Sequence, residues 1–277
     1  MVNMKLKGKV ITLIKPRKIK FENIQIDTDK IGSREIIGKT LFSAISPGTE
    51  TAAYSGKAVI RPGKIYPRLL GYCNVARVTN AGDKAKSVKP GDLILTGESH
   101  RSLFKIPETD ILAKLPKGTD PKYAALTYLY NLGLCSLQTV KPKKNMTVAV
   151  IGLGILGLGT AEQADKLGYS VTAISDSRHK LKLAKKIGAK KVLLKNKTKG
   201  MEKIADLVVT TSNSWTDWEL ALRLAKPYGT ISVLGFPGRG AGLPDFNPLE
   251  PKYFYDKKLA IIPTGRFYES EKNESAS

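Results

Sequence analysis

Apolar positions up to about residue 118 come in short bursts: KVITLI, REIIGKTLFSAIS, NVARVTNAG, GDLILTG and SLFKIP, each closed by Pro, Gly or Asn/Asp. Bursts of this length, bounded by turn residues, predict strands, and their spacing predicts a small barrel. From Asp120 the pattern becomes helical in DPKYAALTYLYNLGLCSLQTV, with Asp120 as the expected N-cap and Pro121 at the first helical position. The pattern then alternates: strand TVAVIGLG, helix ILGLGTAEQADKLG, strand SVTAIS, helix SRHKLKLAKKIGA, strand KKVLL, strand ADLVVTTS, helix DWELALRLAKPYG, and strands TISVLGF and KKLAIIPTG. Strands alternating with helices of this length predict βαβ units and a parallel sheet of about six strands.

The expected organisation is therefore an α/β chain. A β-barrel domain covers residues 1–118, a doubly wound parallel domain covers 119–265, and 266–277 form a polar tail ending in ESEKNESAS. A length of 277 residues suits two domains better than one.

Charge changes the picture modestly. The formal net charge is +22, with lysine far outnumbering arginine and spread along the chain without a long basic block. Arg-rich, aromatic-interleaved stretches would point to nucleic acid; this distribution reads as a solvated surface, still compatible with a phosphorylated small molecule. Cys73 and Cys135 are the only cysteines, too few and too far apart for a disulfide framework or a structural zinc lobe, which points to the cytoplasm. The most apolar stretch, near 148–161, is short and broken by glycines, so no membrane span is expected.

The most informative motif is Gly152-Leu153-Gly154-Ile155-Leu156-Gly157, which directly follows the strand VAVI and opens a helix. In this context it is the dinucleotide fingerprint. Gly152 makes the tight turn, Gly154 leaves room for a pyrophosphate, Gly157 permits close helix–strand packing, and the N–H groups of the helix start, around Ile155 and Leu156, face the anion. An acid at the end of the second strand selects NAD by binding the ribose 2′-OH. Here that position is Ser175, followed by Ser177, Arg178 and Lys180 as donors, so NADP is the expected cofactor; Asp176, one residue on, keeps NAD as the alternative.

With these elements the sequence resembles the medium-chain dehydrogenase/reductase superfamily. The resemblance is carried by SPGTETAAYSG (46–56), PRLLGYCNVARV (67–78), VKPGDLIL (88–95), the fingerprint and LALRLAKPYGTISVLGFPG (220–238). It implies a GroES-like β-barrel followed by a Rossmann domain, and a C-terminal segment longer than the 266–277 tail. Zinc-dependent members show Cys-Gly-Thr-Asp and Gly-His-Glu where this chain has Pro47-Gly48-Thr49-Glu50 and Gly71-Tyr72-Cys73. Since proline cannot ligate a metal and catalytic zinc needs about three protein ligands, the texture resembles the zinc-independent "SPGTE" group that includes bacteriochlorophyllide-type dehydrogenases.

The implied activity is hydride transfer between a nicotinamide and an alcohol or carbonyl, with Thr49 at the position of the family's proton-relay hydroxyl and His100 where zinc-free relatives often carry an imidazole. A hydroxyl-to-imidazole transfer from Thr49 to His100 is the expected proton route. Glu50, Tyr54 and Tyr72 are candidate pocket residues, His179 a solvent or 2′-phosphate contact, and Cys73 an inert buried thiol. An enoyl or quinone reductase, or a catalytically silent NADP-binding protein with a basic surface, are the alternatives. A homodimer is compatible with either.

Overall fold

A computed structural model describes residues 5–57, 65–141, 143 and 145–264; the 266–277 tail lies outside them. The chain divides into two compact units, residues 1–128 and 129–277.

The N-terminal unit opens with β1 (Lys5–Lys15) and β2 (Lys18–Asp27), an antiparallel hairpin. Then follow β3 (Glu35–Ser43), the short helix α1 (Pro47–Tyr54), β4 (Arg68–Leu69), β5 (Asn74–Ala81), β6 (Leu93–Thr96), β7 (Leu103–Pro107), β8 (Ile111–Lys114) and the single turn α2 (Pro121–Ala124). Five strands form a curled antiparallel sheet in the order β7-β3-β5-β6-β8, and β2-β1-β4 form a second sheet. Inside the curl, Ile36, Ala76, Val78, Ile94, Phe104 and Ile106 make the core. A Cβ at Gly38 would lie 2.4 Å from the Phe104 ring, so the missing side chain there is what lets the ring cross the sheet.

All five predicted strands of this unit appear, but β2, β4 and β8 have no counterpart in the apolar pattern. The reason for β2 is physical: Ile19 and Phe21 lie on its exposed side among lysines, so alternation was not enforced by burial. The helix expected over 120–140 is broken into α2 and α3 (Thr127–Val140), although Asp120 caps as expected, its carboxylate accepting from Lys122 N at 2.8 Å.

The C-terminal unit continues with β9 (Thr147–Ile151), α4 (Ile155–Lys166), β10 (Ser170–Ser175), α5 (Arg178–Lys186), β11 (Lys191–Leu194), β12 (Ala205–Thr210), α6 (Trp215–Leu224), β13 (Ala225–Val233) and β14 (Ala260–Pro263). All six strands are parallel, in the order β11-β10-β9-β12-β13-β14. This is a doubly wound Rossmann sheet with its switch point between β9 and β12. Two cores cover its faces. Val148, Val150, Ala161, Ala164, Val171 and Leu207 pack with α4 and α5; Ala149, Ile151, Ile174, Trp218, Leu222 and Ile231 pack with α6. Strands buried on both faces read as continuous apolar runs, which is why TVAVI and ADLVV stood out in the sequence. The last helix ends earlier than expected, since Ala225 to Gly229 belong to β13.

Candidate functional site

The dinucleotide-type turn lies at the C-terminal end of β9. Gly152 adopts φ +87, a left-handed conformation that glycine reaches without strain, and its N–H donates to Ile174 O at 3.0 Å. The other two glycines differ in what surrounds them. A Cβ on Gly157 would sit 1.8 Å from Gly152 O, so helix and strand touch there; a Cβ on Gly154 would meet no protein atom within 4 Å. Gly154 therefore borders open space at the N-terminus of α4, where the first N–H groups of the helix, those of Ile155 and Leu156 among them, have no intrahelical partner. Unpaired donors beside an open hollow suit a pyrophosphate, so these residues fit a dinucleotide.

At the tip of β10 the structure redistributes the roles read from the sequence. Ser175 is buried, and its Oγ accepts from Ser177 N at 3.2 Å, so the hydroxyl is turned inward. Ser177 caps α5 through Lys180 N at 3.4 Å, leaving Arg178, His179 and Lys180 exposed on its first turn. Asp176 is the exposed acid at the tip, paired with Lys195 at 3.0 Å.

A second cluster lies within the N-terminal unit. His100 Nε2 meets Glu50 Oε2 at 2.6 Å and its Nδ1 meets Ser43 Oγ at 2.6 Å, with both His100 and Glu50 largely buried. Glu50 Oε1 also accepts from Ser46 N at 2.8 Å across the first turn of α1. The ring is seated by Gly71, where φ is +93 and a Cβ would come within 2.7 Å of the imidazole. Tyr72, next along, donates its hydroxyl to Ser46 Oγ at 2.5 Å and packs edge-on against Tyr128. Burial pushes the Tyr72 phenol above its usual range; hydrogen bonding with Ser46 and Thr49 opposes this, and the Glu50 charge adds to it.

Thr49 thus faces Tyr72, while both ring nitrogens of His100 are taken by Glu50 and Ser43. The direct Thr49-to-His100 transfer expected from the sequence has no free nitrogen to receive the proton. Glu50, expected as a pocket contact, is buried and committed to His100 and Ser46. Tyr54 is partly exposed at the end of α1. Sequence reading missed the roles of Ser43 and Ser46; Ser43 is signalled only by its place at the end of β3, and Ser46 by its place as the first residue of SPGTE, at the N-cap of α1. His100 and Ser43 border an open apolar cleft of about 400 Å³, also lined by Ile11, Phe21 and Ile45.

Metal ligation finds little support in this donor set. Pro47 has no donor atom and the Tyr72 hydroxyl is engaged by Ser46. Burial, with the Glu50 charge adding, pushes the Cys73 thiol up to about 12. Among the described residues no group of three or more His, Cys, Asp or Glu is placed to hold a metal ion.

Residues 155–274 match the family described as zinc-binding dehydrogenase. The matched segment lies in the C-terminal unit, away from the sequence positions that resemble metal ligands. The chain is 24% identical over 263 residues to an alcohol dehydrogenase of Geobacillus stearothermophilus, covering 80% of this chain and 76% of that protein. Among solved structures, a protein of Sinorhizobium meliloti described as a zinc-binding dehydrogenase and bound to NADP superposes with TM-score 0.78 at 19% identity, covering 94% of this chain and 84% of that one. Acetophenone reductase of Geotrichum candidum, in complex with NAD, superposes with TM-score 0.79 at 17% identity, covering 97% and 85%. The curled antiparallel N-terminal unit and the six-stranded parallel sheet carrying the glycine turn give this chain the fold of these dehydrogenases, and its C-terminal segment matches the zinc-binding dehydrogenase family.

Proposed function

We propose that the chain is an NADP-preferring oxidoreductase that interconverts an alcohol and a carbonyl without a resident zinc ion. The observation that carries the nicotinamide reading is the Gly152–Gly157 turn: an open hollow at Gly154, backbone contact at Gly157, and the N-terminus of α4 behind them, at the switch point of the sheet. The names of the relatives, an alcohol dehydrogenase and a ketone reductase among them, support the reaction class.

A bound nicotinamide supplies the hydride acceptor or donor. This chain's residues then have two tasks. The α4 N-terminus holds the pyrophosphate, and Arg178 and Lys180 at the start of α5 supply positive charge to a 2′-phosphate. The proton on the substrate oxygen falls to the hydroxyls of Thr49 and Tyr72, which hydrogen-bond one another and, through Tyr72, Ser46. His100 acts behind them. The Glu50 charge opposes any negative charge that develops near Tyr72, and the hydrogen bond between His100 and Glu50 at 2.6 Å tempers that charge. Ser43 fixes the ring from the other side, beside the cleft through which solvent reaches it.

The test is NADPH and NADH oxidation across panels of ketones, aldehydes, enones and quinones, with metal content measured on the same protein. Turnover of a ketone or aldehyde with NADPH and without stoichiometric zinc is expected. Turnover confined to enones or quinones overturns the carbonyl reading, and no turnover with any carbonyl while cofactor still binds overturns the enzymatic one.

A further inference from the structure

The end of β11 carries a lysine that the cofactor reading does not use. In the parallel register Ser175 pairs with Leu194, so Asp176 and Lys195 are the next residues outward on neighbouring strands, at the carboxyl edge where an adenine ribose sits in this fold. Lys195 Nζ lies 2.8 Å from Asp217 Oδ2 and 3.0 Å from Asp176 Oδ2. The two carboxylates differ in setting: the Asp217 side chain is 3% exposed, in the first turn of α6, and that of Asp176 is 77% exposed. The buried acid anchors the ammonium, and the α6 N-terminus helps to offset the charge of that acid. The exposed acid is the group being held. Burial works against the Lys195 charge, but its hydrogen bonds to Asp217 and Asp176 prevail and keep it firmly protonated.

We propose that Lys195 is a specificity-determining residue: anchored by Asp217, it ties up Asp176, offsets part of the charge that would repel a 2′-phosphate, and removes the strand-end acid from recognition of an unphosphorylated ribose. With Asp176 compensated, Arg178 and Lys180 at the start of α5 set the sign of the local field. The inference rests on the nicotinamide reading above, deepens its NADP preference, and assigns that preference to an ion pair instead of to Ser175, whose hydroxyl is committed to Ser177 N.

Isothermal titration of the full chain with 2′,5′-ADP and with 5′-AMP separates this inference from the reading on which it rests. The unmodified protein should prefer 2′,5′-ADP. Lys195→Met should weaken 2′,5′-ADP about tenfold or more, the scale of one lost charge-assisted contact, and leave 5′-AMP within about twofold. Adding Asp176→Asn to Lys195→Met should restore part of the loss, because the uncompensated carboxylate is then gone. Lys195→Met also strips the buried Asp217 of its partner, so Lys195→Arg, expected to retain the preference, and Asp176→Asn alone serve as variants that keep the fold. Asp176→Asn should leave 5′-AMP unchanged and 2′,5′-ADP unchanged or tighter. A tenfold loss of 5′-AMP in Asp176→Asn, or equal losses of both ligands in Lys195→Met with the fold intact, overturns the clamp and leaves the nicotinamide reading standing. Binding of neither adenosine phosphate nor either reduced dinucleotide to the unmodified chain overturns both.

Discussion

In the C-terminal unit the atoms that would meet a cofactor are mostly backbone. A turn at Gly152, a hollow at Gly154 and the N–H groups opening α4 lie within six consecutive residues, and side chains matter by being absent. The N-terminal unit works the other way. Ser43 ends β3, Ser46, Thr49 and Glu50 open α1, Tyr72 follows β4, and His100 precedes β7; the cluster exists only because the curled sheet brings these segments together. A site made of backbone is broken by adding atoms. A site made of side chains is broken by removing them.

The largest effect expected from this contrast is at the glycines. Gly154→Val projects into space that no protein atom occupies, so the fold should survive while cofactor binding falls about 10²-fold or more, the equivalent of two charge-assisted contacts of about 1.5 kcal/mol. Gly157→Ala drives a Cβ against Gly152 O and should lower thermal stability instead. Fluorescence titration with NADPH beside a thermal melt reads both. If Gly154→Val binds NADPH normally, the backbone does not form the cofactor cradle.

In the other unit, deletion is the test. Thr49→Val and Tyr72→Phe remove hydroxyls and keep shape, and His100→Gln keeps a hydrogen-bonding partner for Glu50. Thr49→Val and His100→Gln should each lower kcat by about 10²-fold with cofactor affinity nearly unchanged, in line with general acid/base contributions. Normal rates in both would assign the proton to bound water.

The same contrast explains what could be read before the fold was known. The Rossmann half was legible because burial on both faces of a parallel sheet forces apolar runs, and because the glycine turn is local. Thr49 and His100 could be named, but their partners could not. That both His100 nitrogens are occupied, and that Thr49 faces Tyr72, depends on strand pairing between residues tens of positions apart. Asp176 and Ser175 exchanged roles for a similar reason: one residue of strand geometry turns a hydroxyl inward and an acid outward. β2 escaped notice because its apolar residues change face midway, with Ile19 and Phe21 exposed and Ile24 and Ile26 half-buried, so no single alternation runs the length of the strand.

A smaller effect concerns how the C-terminal sheet is held. Asp206 on β12 accepts from Thr147 N and Oγ1 on β9, at 2.8 and 2.6 Å, and pairs with Lys226 on β13 at 3.0 Å, tying three parallel strands at the end away from the cofactor turn. Burial alone would raise the Asp206 carboxyl, but these hydrogen bonds and the lysine hold it below its usual range. A folded-state value below the unfolded one means that the stabilisation is present above about pH 4 and is lost as pH falls through the folded value. Asp206→Asn should cost about 1 kcal/mol at pH 7, discounted for partial exposure, and less at pH 3. Urea melts at the two pH values check this; an equal loss at both would mean that shape, and not charge, ties the strands.

The smallest expected effect is none at all, and it bears on the N-terminal cluster alone. If side chains carry the proton chemistry there, removal of divalent metal should change nothing. The ligand positions hold Pro47, Tyr72 and the buried Cys73 thiol. His100 is already bound on both ring nitrogens, so a metal would have to displace Glu50 or Ser43 to reach it. Dialysis against a strong chelator should leave melting temperature, NADPH affinity and carbonyl turnover within error. Added zinc should restore nothing, since nothing was lost. Turnover that falls on chelation and returns with one equivalent of zinc would place the reacting oxygen on a metal and reduce the Thr49–Tyr72 pair to a structural contact; its magnitude would separate the two schemes, because a Lewis acid at a developing alkoxide contributes several kcal/mol, more than the loss expected from either hydroxyl.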